Sequence, residues 1–229
     1  MSMTNSGAPR AYRQLIAGEW VDAEGGRTFD DINPYTGESF ATIPASSAAD
    51  MQRAIDAAHQ AFPAWAAMGA RARQALFLNA ATILERRADE IVPLMAQENG
   101  ATAPYARFQI QWAAGLLRQA AGYPYLPGGE IVQSDTPGVF AMAVRKPLGV
   151  VAGISPWNGA IALGFRTIVA PLACGNTVVL KPAEFTSLTA LRFAELCAEV
   201  EPEPYVTPAG TTVRCHLHTS GPALAGGTV

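Results

Sequence analysis

Apolar residues recur along this chain with two different periods, and the switch between them outlines its organisation. Residues 13–44 hold short β-prone runs broken by turn formers. RQLIAGEWV places Ala17-Gly18 between two such runs, NPYTGES is dense in turn residues, and FATIP follows as another short strand. From Ser47 the period lengthens to that of a helix. Ser47 with Asp50 has the form of a capping box, with Asp in place of Glu. Met51, Ile55, Ala58 and Phe62 then fall on one helical face. The pattern predicts a second helix over 69–87 with Leu76, Ile83 and Leu84 inward, a third running to Glu98 and stopping at Asn99-Gly100, and a fourth over 104–121. Pro and Gly residues from Pro124 to Gly129 close the helical region.

From Val139 the pattern changes again. FAMAVRKPLGVVAGI reads as two strands around a turn at Lys146–Gly149. Pro156 to Cys174 suits a helix, with Gly175-Asn176 as its stop. TVVLK is a short continuous apolar strand, the kind buried on both faces of a parallel sheet, and Ser187 to Val200 suits another helix. This order implies a βαβ unit with a right-handed crossover. The expected class is α/β: a partial doubly wound, Rossmann-like parallel sheet with amino-terminal β-hairpin segments and a helical subdomain. Residues 1–11 are expected to be a disordered amino terminus, 12–200 the folded part, and 201–229 an anomalous, poorly ordered tail rich in Pro, Thr and Gly.

Composition narrows the classes of function. Hydrophobic residues make up 49% and charged residues only 15% of 229, which points to extensive buried surface, subunit interfaces included. A net charge of -3 offers nothing to nucleic acid or to an acidic membrane face. The start MSMTNSGAPRAYRQ has no apolar core of a secretion signal, and no apolar run reaches the ~18 residues of a membrane span. Three cysteines, Cys174, Cys197 and Cys215, show no CxxC spacing. Reduced thiols in the cytoplasm are the expectation.

The candidate chemistry lies in GVVAGISPWNGAIALGFRTIVAPLACGNTVVLKPAE, where Asn158, Lys181 and Glu184 stand at the breaks between apolar runs. Ligands of open parallel sheets sit outside the carboxyl ends of the strands, and ISPWN and LKPAE are two such ends. If the strands are neighbours, both loops face one crevice. Lys181 suits ribose hydroxyls or phosphate. Glu184 accepts from ribose hydroxyls and repels a 2′-phosphate, favouring NAD over NADP. The Asn158 amide can donate to a developing oxyanion, a contribution of about 3–4 kcal/mol in a preorganised site. Taken singly, Asn158 equally suits a helix N-cap, and Lys181 with Glu184 suits a surface ion pair. No metal site is expected: His216 and His218 at i, i+2 share no helical face, and no carboxylate completes a set with Cys215.

ISPWN followed by APLACGNTVVLKPAE, with INPYTGE and VRKPLGVV upstream, resembles the NAD(P)-dependent aldehyde dehydrogenase superfamily over residues 12–200. The resemblance implies oxidation of an aldehyde to a carboxylic acid with NAD. It implies that Ile154, Ser155, Pro156 and Trp157 line the nicotinamide-ribose side of a cofactor cleft, that Asn158 is the oxyanion donor, and that Lys181, Ala183 and Glu184 hold the adenosine ribose. Asn158-Gly159-Ala160 and PLACGNTVVLK look like the aromatic-aldehyde branch, salicylaldehyde dehydrogenases in particular. Gly159 would leave space for a flat ring, Arg166 would meet a phenolic oxygen, and Tyr105 would form an aromatic wall. As residues alone, Arg166 equally suits a solvent or interface position and Tyr105 core packing.

The family's nucleophilic cysteine and its glutamate lie in stretches such as Gly-Gln-x-Cys and Glu-Leu-Gly-Gly, and neither occurs in this sequence. The expectation is therefore a truncated cofactor-binding portion, inactive by itself. The alternative is a non-catalytic dinucleotide-binding fragment, or one that associates with itself or with full-length subunits.

Overall fold

The computed structural model describes residues 9–200 and the strand residues 204–206 and 212–214. Strand β1 (Arg10–Ala11) runs parallel to β5 (Ser39–Pro44), which pairs antiparallel with β4 (Thr28–Ile32). Arg10 and Ala11 thus belong to a sheet rather than to the amino-terminal stretch expected to be disordered; residues 1–8 lie outside the described residues. Strands β2 (Gln14–Ile16) and β3 (Glu19–Val21) form the expected hairpin. Its turn residues Ala17 (φ 55°) and Gly18 (φ 79°) take the left-handed conformation that a two-residue hairpin turn requires.

Helix α1 (Ala48–Ala67) starts with the expected capping box: Ser47 Oγ accepts from the Ala49 and Asp50 N–H groups, and the Ser47 N–H donates to Asp50 at 2.8 Å. Aspartate suffices because it is buried against a second donor, the Glu24 N–H at 3.0 Å, which ties the loop after β3 to the helix start. The Ser47 N–H, then the Glu24 N–H and the Arg53 guanidinium, hold the Asp50 carboxyl below the usual carboxylate range against the opposing effect of burial. A lowered carboxylate pKa stabilises the fold above the unfolded value of about 4, and that stability fades progressively as pH falls from there towards the lower folded value. Asp50→Ala should therefore cost ~1–2 kcal/mol at neutral pH, and the gap to wild type should begin to narrow in thermal unfolding below about pH 4 and go on narrowing with further acid. On the expected inward face, Met51, Ala58 and Phe62 are half-buried, but Ile55 is 36% exposed.

Helices α2 (Ala70–Arg86), α3 (Ala88–Asn99) and α4 (Ala103–Ala120) follow within two residues of the expected bounds. Gly100 ends α3 in the left-handed conformation at φ 71°. One core joins them: Phe77, Ile83, Leu84, Ile91, Met95, Ile110 and Leu117, with Ala81, Ala106, Ala113 and Ala114 allowing close helix approach. Arg73 is buried in α2. Its guanidinium donates to the Trp65, Ala66, Met68 and Ala173 carbonyls, so it satisfies chain ends at two helix termini.

The Pro/Gly-rich stretch contains a strand that its composition conceals. Strand β6 (Gly129–Val132) pairs antiparallel with β7 (Ala141–Val144). Gly129 is required there, because a Cβ would lie 2.0 Å from the Ala143 carbonyl oxygen. Strand β8 (Val150–Ile154), helix α5 (Ala160–Ala173), strand β9 (Thr177–Lys181) and helix α6 (Ser187–Val200) form the expected βαβ order, with β8 and β9 parallel. Alternation along β9 puts contacts on both faces: Thr177 donates to the Ala58 carbonyl of α1, while Val178 and Leu180 pack on the core shared by α5. Asn176 fixes the entry to both strands, accepting from the Leu148 (2.7 Å) and Gly149 (3.2 Å) N–H groups and donating to the Pro171 carbonyl.

Helix α5 begins at Ala160, not Pro156. The Ser155 N–H extends the parallel pairing by donating to the Lys181 carbonyl at 3.2 Å, so residues 155–158 cross the sheet edge before the helix can start. Within the stretch expected to be a poorly ordered tail, β10 (Pro204–Val206) pairs antiparallel with β11 (Thr212–Arg214); its other residues, with Cys215, His216 and His218, lie outside the described ones. Among the described residues no helix is long and apolar enough to cross a membrane.

Candidate functional site

The register of the parallel pair decides where the two motif loops stand. Ile154 and Lys181 are direct partners at the carboxyl ends of β8 and β9. The loops that follow leave the same edge of the sheet, where an open α/β sheet presents its crevice. Lys181 and Glu184 are both exposed, and no ion pair joins them among the described residues. Pro182 keeps Lys181 extended. Ala183 caps a short 3₁₀ turn, Glu184–Thr186, its carbonyl accepting from the Thr186 N–H at 3.1 Å.

On the β8 side, Ser155 is buried, and Ile154, Pro156, Trp157 and Asn158 are exposed. Gly159, not Asn158, is the N-cap of α5 and makes no side-chain cap. The capping alternative for Asn158 is thereby removed, and its amide makes no hydrogen bond among the described residues. Its backbone carbonyl is held from α4: Tyr105 Oη donates to it at 3.2 Å and Gln109 Nε2 at 3.5 Å. Asn99 Nδ2 donates to the Trp157 carbonyl at 3.1 Å. Asn99, Gly100, Ala101, Thr102, Tyr105, Trp157 and Asn158 line a cleft of about 330 Å³.

Tyr105 is half-exposed rather than packed in the core, and its ring stacks with Phe108 at 6.3 Å. Gly159 is buried; a Cβ there would meet the Leu163 side-chain tip at 2.9 Å. Arg166 is exposed on α5, without an ion pair among the described residues. Cys174 is exposed at the far end of α5; fourteen residues of helix put it roughly 21 Å from the Asn158 loop. The Cys197 side chain lies outside the described residues.

Gln109 is the residue that sequence reasoning missed. It is fully buried, and its Oε1 accepts from the Ile161 and Ala162 N–H groups at 3.2 and 3.4 Å. A single side chain thus caps α5 from another helix and holds the Asn158 carbonyl. Its signal was a polar residue in phase with the buried Ala106, Ile110, Ala113 and Leu117. Gln109→Leu should destabilise the chain by about 1–3 kcal/mol, because two helix-start donors lose their acceptor. Hydrogen exchange at Ile161 and Ala162 should accelerate with it, and unchanged exchange there would refute the capping role.

A sheet edge of this kind, with polar side chains free of internal partners among the described residues, defines an α/β protein built around an open crevice. The family model described as "Aldehyde dehydrogenase family" matches residues 20–213. The chain belongs to that family. It is 46% identical over 172 residues to the vanillin dehydrogenase of Pseudomonas fluorescens, covering 75% of this chain and 36% of the relative. It is 34% identical over 175 residues to the salicylaldehyde dehydrogenase of Pseudomonas putida, covering 76% and 36%. Among solved structures, the NAD-dependent benzaldehyde dehydrogenase of Corynebacterium glutamicum superposes with a TM-score of 0.80 at 36% identity, over 87% of this chain and 42% of that one. The Pseudomonas putida G7 salicylaldehyde dehydrogenase complexed with salicylaldehyde also gives 0.80, at 31% identity over 83% and 40%. The chain therefore spans well under half the length of these relatives.

Proposed function

We propose that this chain carries the cofactor-binding and oxyanion side of an NAD-dependent oxidation of an aromatic aldehyde to its carboxylic acid. The observation that supports this reading above the others is the pairing of Ile154 with Lys181, which sets both motif loops on one sheet edge. The residues present suit the cofactor: Lys181 and Glu184 are exposed and not engaged with each other, as a ribose-holding pair must be. NAD, when bound, accepts the hydride. Lys181, Ala183 and Glu184 hold the adenosine ribose; Ile154, Ser155, Pro156 and Trp157 line the nicotinamide-ribose side. The Asn158 amide donates to the carbonyl oxygen as negative charge develops on it. Tyr105 and Arg166, both exposed, face the aromatic ring of the substrate, and the buried Gly159 adds no side chain to that wall. The aromatic class is supported by the relatives, named for vanillin, salicylaldehyde and benzaldehyde.

Cys174 stands too far from Asn158 to attack a carbonyl bound there, and neither a Gly-Gln-x-Cys nor a Glu-Leu-Gly-Gly stretch occurs in the sequence, so the chain by itself should produce no NADH from salicylaldehyde. A second reading, a non-catalytic dinucleotide-binding or subunit-association fragment, draws on the β6–β7 hairpin. Ile131, Phe140, Met142 and Val144 are exposed there among the described residues, an apolar surface suited to a second copy or a longer subunit. Calorimetric titration with NAD and NADP, with size-exclusion chromatography, tests both. The proposal expects NAD to bind several-fold more tightly than NADP, because Glu184 repels the 2′-phosphate. Absence of NAD binding would leave only the association reading, and thiol-dependent turnover would refute the inactivity of the chain.

A further inference from the structure

Two buried carboxylates lie behind the Lys181–Glu184 turn, outside the site described above. Glu98 on α3 is 2% exposed and Asp31 on β4 is 3% exposed. Glu98 reaches the start of α6. Its Oε1 accepts from the Leu188 N–H, and its Oε2 accepts from the Thr189 N–H at 2.9 Å and from the Thr189 hydroxyl. These N–H groups belong to the first turn of α6, which has no intrahelical acceptor for them. Helix α6 begins at Ser187, directly after the Glu184–Thr186 turn. The short segment bearing Lys181 and Glu184 is thus anchored on one side by β9 in the sheet and on the other by Glu98. The local bonds between those anchors are few: the Thr186 N–H to the Ala183 carbonyl at 3.1 Å, and Ser187 Oγ to the Ala183 and Glu184 carbonyls at 3.4 and 3.3 Å.

We infer that Glu98 is a positioning residue for the cofactor-gripping turn: by holding the first N–H groups of α6 it sets where Glu184 stands at the groove. The inference rests on the cofactor reading given above. A second observation marks the place as more than a helix cap. Asp31 Oδ2 and Thr186 Oγ1 are buried without a partner, and no ion pair reaches Asp31 or Glu98 among the described residues.

Asp31 is the charged group that faces Glu98. Helix α6 presents Thr189 and backbone N–H groups, the turn presents Thr186, and Glu184 is exposed. Arg87 at the start of α3, Arg107 and Arg118 on α4, and Arg192 on α6 pair elsewhere: Arg87 and Arg192 with Glu195, Arg107 with Asp89, Arg118 with Glu85. Burial drives both carboxyl groups upward, Asp31 to about 6 and Glu98 to about 8. A raised carboxyl pKa stabilises the fold below the unfolded value of about 4, and that contribution is lost as pH rises through the folded values. Above about pH 8 two adjacent buried carboxylates repel, and the hold on the turn weakens.

The test uses this chain with Glu98→Gln, which keeps the volume and one acceptor, and with Asp31→Asn, which removes the repulsion. Hydrogen exchange over 182–189 and NAD affinity are read at pH 7 and pH 9. For Glu98→Gln the inference expects exchange over 182–189 to rise about tenfold, with α4 unchanged, and NAD affinity to fall about fivefold to tenfold. Wild type should lose affinity between pH 7 and pH 9, and Asp31→Asn should lose less, because burial still acts on Glu98 but the repulsion from Asp31 is gone. Glu98→Gln with wild-type affinity overturns the inference and leaves the cofactor reading intact, whether or not exchange changes. A wild-type chain that binds no NAD at all overturns the cofactor reading and this inference with it. If Glu98→Gln does not fold, equal pH dependence in wild type and Asp31→Asn still overturns it.

Discussion

Replacing Lys181 with alanine should weaken NAD binding by at least about tenfold, and Glu184→Ala should do so to a similar degree. A hydrogen bond to a charged group contributes about 1.5–3 kcal/mol, equivalent to roughly 10- to 150-fold in affinity. Both side chains are exposed and neither is paired with the other, so their removal takes nothing from the fold. Unfolding midpoints should stay at wild type within the ±0.5 kcal/mol typical of surface substitutions. The double substitution should cost less than the two single losses combined, since the proposal puts both groups on one ribose, where each would depend on the other's placement. Equal affinity in wild type and both variants would remove the cofactor assignment, whatever the family.

Phe165→Ala should have the largest effect on stability, about 3–5 kcal/mol. Phe165 is 3% exposed and meets Phe193 of α6 edge-on, with ring centroids 4.5 Å apart. The contact is tight on its neighbour too: a Cβ on Gly164 would lie 2.6 Å from the Phe193 ring. Helix α5 crosses from the Asn158 loop to the start of β9, so this ring pair locks the crossover against the helix that follows the gripping turn. Urea unfolding measures the loss. A midpoint shift worth less than about 1 kcal/mol would mean that α5 and α6 are not packed as described.

Local signals carried much of the architecture. Ala17-Gly18 marks its hairpin because the turn needs positive φ, and Asn99-Gly100 stops α3 for the same reason. Ser47 and Asp50 announce α1 through side-chain chemistry confined to one turn. TVVLK reads as a parallel strand and pairs as one, though it is half-buried over Val178–Leu180 rather than buried on both faces. What stayed hidden depends on contacts between distant segments. Strand β6 exists only through its pairing with β7, and its glycine reads as punctuation until Ala143 is placed opposite it. Arg73, Glu98 and Gln109 each lie in phase with an apolar helical stripe. An isolated polar residue in such a stripe looks like a flaw in the pattern. Here each answers orphaned backbone groups of another helix, and nothing local reveals that. Ile55 shows the converse: on phase with the buried face of α1, it is left partly outside by the packing.

Within the site, the position of both loops followed from strand order alone, but the choice between roles for Asn158 did not. Its motif suits a cap and an oxyanion donor equally well. Only the capping of α5 by Gln109, 49 residues upstream of Asn158, leaves the amide free.

The account turns on a single groove at the carboxyl edge of β8 and β9. Backbone amide chemical shifts followed during NAD titration test it most directly. Shifts at 154–158 and at 181–184 should move together, with one dissociation constant and with residues of the β6–β7 hairpin unaffected. Perturbation of one loop alone, or of neither while NAD binds elsewhere, would contradict it.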